Sequence, residues 1–146
     1  MNTTPLPRIV VGTDGSDNSL GALRWALHEA GLRKASVDVI HVWNHVPIID
    51  PMGFATVGYT ADEEAAAKKV LRDVLLKVDS TRGSVQVNDI VTQGSASQAL
   101  LSAAKGAELV VVGRRGHGGF MGLLLGSVAT QVVNHCPCPV VVVNAP

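Results

Sequence analysis

The sequence predicts an α/β domain of three layers: an open five-stranded parallel sheet, Rossmann-like, in strand order 3-2-1-4-5 with helices on both faces. Three observations point there. Five short β-branched runs alternate along the chain with segments of helical periodicity. Two of those runs, Val110-Val111-Val112 and Val140-Val141-Val142-Val143, show no alternation of apolar and polar residues, as strands covered on both faces do. The length of 146 residues suits a single unit, residues 1–146, burying roughly two thirds of its unfolded surface. Right-handed crossovers between such strands put helices on both sides of the sheet.

The first strand, Arg8–Thr13, runs into the turn sequence Asp14-Gly15-Ser16. Leu20, Leu23, Leu27 and Ala30 then share one face of a helix. A second strand covers residues 37–42. The connection over residues 44–59 holds two prolines, two glycines and two aromatics, and reads as a mobile loop near a ligand. Thr60-Ala61-Asp62-Glu63 has the capping-box form and opens a second helix, with Val70, Leu71, Val74, Leu75 and Val78 on its apolar face. After a third strand at residues 85–91, Ser95-Ala96-Ser97-Gln98 is another capping box, and Gly106 is the stop of the helix it begins. A fourth strand, Leu109–Gly113, a fourth helix starting near Ser127 and a last strand, Val140–Val143, complete five strands and four helices.

Composition excludes several classes of function. Twelve basic and twelve acidic side chains cancel, leaving neither a nucleic-acid footprint nor a polybasic membrane patch. No apolar run is long enough to span a bilayer, and residues 1–5 lack the charged and apolar regions of a signal peptide, so a cytoplasmic location is expected. The two cysteines, Cys136 and Cys138, stand in Cys-Pro-Cys-Pro, neither a redox Cys-x-x-Cys nor a zinc pair with partners elsewhere. They read as small structural residues in a stiffened turn. His28, His41, His45 and His135 show no metal spacing and read as surface or satisfied core residues, and Trp25 and Trp43 as packing groups.

Ligands of open α/β sheets bind beyond the carboxyl ends of the strands. Three tips qualify: Gly12-Thr13-Asp14 after the first strand, Val42 and its neighbours after the second, and Gly113-Arg114-Arg115-Gly116-His117 after the fourth. Gly113 and Gly116 are followed, nine residues on, by Gly126-Ser127. With 15 glycines in the chain, such a spacing arises by accident with a chance of about two per cent. Glycine lets a backbone approach a bulky anion, and amides at a helix start receive one, so the residue types suit a phosphate. The competing structural reading makes these loop glycines with Ser127 as a helix cap, and Asp14 a cap or Asx turn.

These residues resemble the universal stress protein family, in its ATP-binding branch. The shared motif is Gly-x-x-Gly, nine residues, Gly-Ser/Thr, met here by Gly113, Gly116, Gly126 and Ser127. Val11-Gly12-Thr13-Asp14-Gly15-Ser16 and the ending Cys138-Pro139-Val140-Val141-Val142 add to the likeness. The resemblance implies that Gly12, Thr13 and Asp14 meet the nucleoside, with the Asp14 carboxylate near the ribose hydroxyls or a bound metal. It implies backbone contact between Val42 and adenine, and ribose and phosphates lined by Gly113, Arg114 and Gly116, with Arg114, Arg115 and His117 as the groups that could add charge, solvation of long basic chains on an exposed loop being the competing reading. Gly126, Ser127 and Val128 would hold the triphosphate. The implied ligand is ATP with magnesium or manganese, cyclic AMP being the alternative because it shares the adenine and ribose contacts. A homodimer through Val140–Val143 is expected both from the family and because a bare apolar edge needs pairing.

The function read from the sequence is thus a nucleotide-dependent regulatory module of the stress response. No Gly-Lys-Ser/Thr loop, carboxylate pair or nucleophile beside a base supplies a catalytic set. Two alternatives stay open: an interaction protein without nucleotide, and a weak adenine nucleotide hydrolase.

Overall fold

In a computed structural model the residues described are 4–44, 48–56, 60–115 and 125–144. Their elements run β1 (Arg8–Thr13), α1 (Asp17–Arg33), β2 (Ser36–Trp43), β3 (Ile48–Ile49), β4 (Ala55–Thr56), α2 (Thr60–Lys77), α3 (Asp79–Arg82), β5 (Val87–Gln93), α4 (Ala96–Ala103), β6 (Leu109–Gly113), α5 (Ser127–His135) and β7 (Val140–Val143). Five of the strands form one sheet, all neighbours parallel, in the order β5-β2-β1-β6-β7. Counted along the chain within that sheet, the order is 3-2-1-4-5, as predicted.

The absence of alternation in the valine runs has a direct cause. Along every inner strand, successive residues enter different cores on opposite faces of the sheet. Ile9, Val11, Val37, Val39, Leu109 and Val111 join Leu23 and Leu27 of α1 and Leu71 and Val74 of α2. Val10, Ile40, Val110 and Val112 join Leu100 of α4 and Ala129 and Val132 of α5. Even β7 at the edge is shared this way, Val141 and Val143 packing on the first core and Val140 and Val142 on the second.

Helix α1 keeps the predicted apolar face, with Leu20, Leu23, Leu27 and Ala30 all buried. Helix α2 differs at one position. Ala67, Leu71, Val74 and Val78 are buried, but Val70 is 37% exposed, because the spacing 67, 71, 74, 78 fills the core-facing stripe and leaves residue 70 at its flank. Ser95 caps α4 as expected, accepting from the Gln98 amide. Helix α4 itself ends at Ala103, and Gly106 takes a positive φ of 76° in the turn that follows. The side chain of Thr60, the other capping residue, lies outside the described residues.

The third strand of the sheet is displaced from the predicted 85–91 to Val87–Gln93. Parallel pairing from Val37↔Val87 to Trp43↔Gln93 sets its limits, so polar Thr92 and Gln93 at an edge are drawn into the ladder while Val85 packs on the core before it. The connection at 44–59, expected as a loop, contains an antiparallel pair, Ile48↔Thr56 and Ile49↔Ala55. Asp50 organises its turn by accepting from the amides of Met52 and Phe54. Two-residue strands leave no periodic trace in sequence, and neither does the single turn of α3.

Gly15 has the left-handed φ of +85°, and a Cβ built on it would stand 2.6 Å from Cγ1 of Val70. The flank position of Val70 is therefore fitted to a glycine. Gly15→Ala is expected to lower the free energy of unfolding by about 1–3 kcal/mol, from backbone strain and the clash together. Urea titration tests this; an unchanged midpoint would show that the turn relaxes without cost.

Candidate functional site

The sheet order reverses direction between β1 and β6, since the chain first adds strands on one side of β1 and then on the other. Neither crossover fills the space beyond the carboxyl ends of these two strands, and a cleft opens there. Gly12, Thr13 and Asp14 from β1 and its turn, Val112 and Gly113 from β6, and Ile40 and Val42 from β2 form one wall. Ala96 and Leu100 of α4 and Val128 and Ala129 of α5 form the other, with Ser19 of α1 and Arg115 completing the lining. The volume is about 630 Å³ including the part that opens to solvent.

This lining divides into an apolar floor and a polar rim. Ile40, Val42, Leu100, Val112 and Val128 offer aliphatic surface suited to a flat ring, while Thr13, Asp14, Ser19 and Arg115 carry the polar atoms. Gly12 brings floor and helix together: a Cβ there would lie 3.0 Å from Cδ1 of Leu100, so the tip of the leucine would have to give by a few tenths of an ångström.

The turn after β1 is held by its own hydroxyls. Thr13 Oγ1 accepts from the Gly15 amide at 3.2 Å and lies 2.7 Å from Ser19 Oγ, which donates to Ser16 O at 2.7 Å. Donor and acceptor roles then follow one direction: Thr13 donates to Ser19, and Ser19 to the backbone. Asp14 Oδ1 accepts from the Ser16 amide at 2.9 Å, an Asx turn, while Ser16 takes the N-cap position of α1. The structural role considered for Asp14 is thus realised, and its side chain remains at the exposed rim of the cleft. His41, buried behind the same turn, places Nδ1 2.9 Å from Thr13 O, as a satisfied core histidine does.

The two halves of the glycine motif meet in space. The Gly126 amide donates to Arg114 O at 2.7 Å, and the Arg114 amide donates to Val143 O at 2.9 Å, so the tip of β6 is tied to the start of α5 and to the end of β7. Gly126 is the N-cap residue, buried, with φ of −69°, a value open to any residue. Because the Arg114 and Gly126 amides serve protein carbonyls, the donors that α5 presents at the cleft are those of its first turn, Ser127 and Val128 onward, where no intrahelical carbonyl is available. Val128 lines the cleft, and Ser127 lines the adjoining groove with Asn44, Ser95 and Gln131.

Of the residues singled out in the sequence, Gly12, Thr13, Asp14, Val42, Gly113 and Val128 therefore line one cleft, with Ser127 next to it. Arg114 and Gly126 stand behind the wall as its frame, and Arg115 is the arginine that lines the cleft. Gly116 and His117 lie outside the described residues. Sequence reasoning missed Ser19, Ile40, Ala96, Leu100, Val112 and Ala129 as cleft residues. Ser19 carries no motif, Ile40 and Val112 read only as strand interior, Ala96 and Leu100 belong to a helix read only for its ends, and Ala129 to one read only for its start. Among the described residues no three His, Cys, Asp or Glu side chains gather as a metal site. No helix of the described residues is long and apolar enough to cross a membrane.

Comparison with known proteins agrees with this architecture. The sequence model of the universal stress protein family matches residues 6–144. A universal stress protein of Mycolicibacterium smegmatis is 38% identical over 143 residues, covering 93% of this chain and 47% of that protein. The chain spans about half the length of the curated relatives it matches. Among solved structures, universal stress protein UspA from Lactobacillus plantarum superposes with a TM-score of 0.75 at 22% identity, over 97% of this chain and 99% of that one. A universal stress protein in complex with cAMP superposes with a TM-score of 0.72 at 26% identity, over 98% of this chain and all of the other, at 100%.

Proposed function

This chain belongs to the universal stress protein family, and from that premise we propose that it binds an adenine nucleotide, ATP ahead of cyclic AMP, as a regulatory module of the stress response. The observation that carries the reading is an apolar cleft at the sheet's reversal point with the first turn of a helix at its mouth. Adenine lies on the aliphatic floor of Ile40, Val42 and Leu100, and the backbone of Val42 supplies its edge contacts. The ribose meets Gly12, Thr13 and Asp14. Phosphates take the amides of Ser127 and Val128, favoured by the positive end of the α5 dipole, with Arg115 adding charge. Magnesium or manganese would be held by the phosphates together with Asp14, the carboxylate of the cleft lining. Gly113 stands on the ribose and phosphate side; Gly116 and His117, which the family motif assigns to the same side, lie outside the described residues.

The cAMP bound by a structural relative supports the adenine part of this reading. The all-valine edge strand β7, half-buried along its length, supports a homodimer through Val140–Val143.

The test is to denature freshly purified protein, identify any released nucleotide by chromatography, and titrate the stripped protein calorimetrically with ATP, ADP and cyclic AMP. Co-purified ATP or micromolar ATP affinity is expected. Tighter binding of cyclic AMP would replace ATP as the ligand, and no binding of any adenine nucleotide would favour an interaction protein.

A further inference from the structure

The turn between α5 and β7 carries the chain's two cysteines, one on each side of Pro137. Side chains two residues apart on an extended strand share a face but stand about 6.6 Å from each other. Here the backbone bends at Pro137 and Cys138, and the two sulfurs lie 3.6 Å apart. Both residues are half-buried, packed against the core that holds Val10, Leu100 and Val132.

The backbone on either side is pinned. The Cys136 amide donates to Val132 O at 2.9 Å, closing α5, and Pro139 O accepts from the Val110 amide at 3.0 Å, opening the ladder between β6 and β7. The thiols thus face each other from two anchored points, and bonding distance requires the sulfurs to approach by only roughly 1.5 Å through side-chain rotation.

We propose that Cys136 and Cys138 form a reversible disulfide, making this turn a modification site for peroxides, independent of the nucleotide cleft. The Cys136 thiolate attacks one oxygen of hydrogen peroxide; the O–O bond breaks, and the departing hydroxide takes a proton and leaves as water. Cys138 sulfur then attacks the sulfenic sulfur of Cys136. The S–S bond forms, the S–O bond breaks, and the leaving hydroxide takes the Cys138 proton as a second water. Two thiols have lost two electrons and the peroxide has gained them. Burial, together with the hydrogen bond and charge of Cys136, pushes the Cys138 thiol up to about 11, so it enters the second step protonated and gives that proton to the leaving hydroxide. A small dithiol reverses the bond by exchange.

With only two cysteines in the chain, the product is unambiguous. The full chain is treated with hydrogen peroxide under native conditions and followed by intact mass, thiol titration and a non-reducing gel. The wild type is expected to lose two hydrogens and both titratable thiols without forming a covalent dimer, and dithiothreitol restores both. Cys138→Ser is expected to gain oxygen on Cys136 or to form an intermolecular dimer instead. The proposal is overturned if the wild type gains oxygen while one thiol stays free, if its main product is a covalent dimer, or if both thiols survive the treatment.

Discussion

Gly113→Glu is expected to abolish nucleotide binding, lowering affinity for ATP by at least about 100-fold, or about 2.7 kcal/mol, while the fold remains. The position is chosen because a Cβ on Gly113 finds only ordinary contacts, Arg115 O at 3.6 Å and Asn18 O at 3.7 Å. Gly113 lines the cleft at the tip of β6, so a carboxylate added there brings negative charge to the edge of the space assigned to ribose and phosphates. A change in stability within about 1 kcal/mol is expected, since the substitution is made at the end of a strand. Gly113→Ala is the control: its methyl fits, and affinity is expected within a few-fold of the wild type. Calorimetry with ATP decides, and full affinity in Gly113→Glu would place the ligand elsewhere. Gly126→Glu, which the motif by itself also suggests, is a poorer test. Gly126 is buried and bonded to Arg114 O, so a carboxylate there would disturb the frame of the site and confuse lost binding with lost structure.

Arg8→Met is the substitution expected to cost the most stability, about 3–5 kcal/mol. Arg8 Nη1 donates to Asp38 Oδ2 at 3.1 Å and to Ala103 O at 2.9 Å, and Nη2 donates to Lys105 O at 2.9 Å. One guanidinium thereby ties β1 to β2 and receives carbonyls at the end of α4, where a cation is favoured. The Asp38 side chain is only 10% exposed, and its other oxygen accepts from Asn88 Nδ2 at 2.9 Å. Removing the arginine leaves a buried carboxylate with a neutral amide as its one remaining partner in this network. The double variant Arg8→Met with Asp38→Leu is expected to recover most of the loss, because it removes the charge that was orphaned. Urea denaturation of the three proteins tests both statements. A single variant within about 0.5 kcal/mol of wild type would show that water solvates Asp38 in place of the arginine.

These two positions differ in how far the sequence reveals them. Gly113 belongs to a spaced motif at the end of a valine run and could be found without coordinates. Arg8, Asp38 and Asn88 are 30 and 50 residues apart, sit in segments that read only as strands, and come together through strand register. The cleft shows the same division. Its strand tips, Gly12 to Asp14 and Val42, were legible because strands in a parallel sheet end at turn residues and ligands gather at those ends. Ser19, Ala96 and Leu100 were not, because helices α1 and α4 are laid across the sheet by packing, and nothing in their local pattern says which residue will overhang the cleft.

The sequence by itself determined the alternation of strands and helices, the burial of the sheet on both faces and the glycine spacing, since periodicity, β-branching and backbone freedom are local properties written residue by residue. Only the tertiary structure decided which amides stay available at the head of α5, where Arg8 finds its carboxylate, how residues 48–56 pair, and that Cys136 faces Cys138 across a bend. The first two depend on which distant segments the shared core brings within a few ångströms of each other, and the last two on bends too short to leave a periodic pattern.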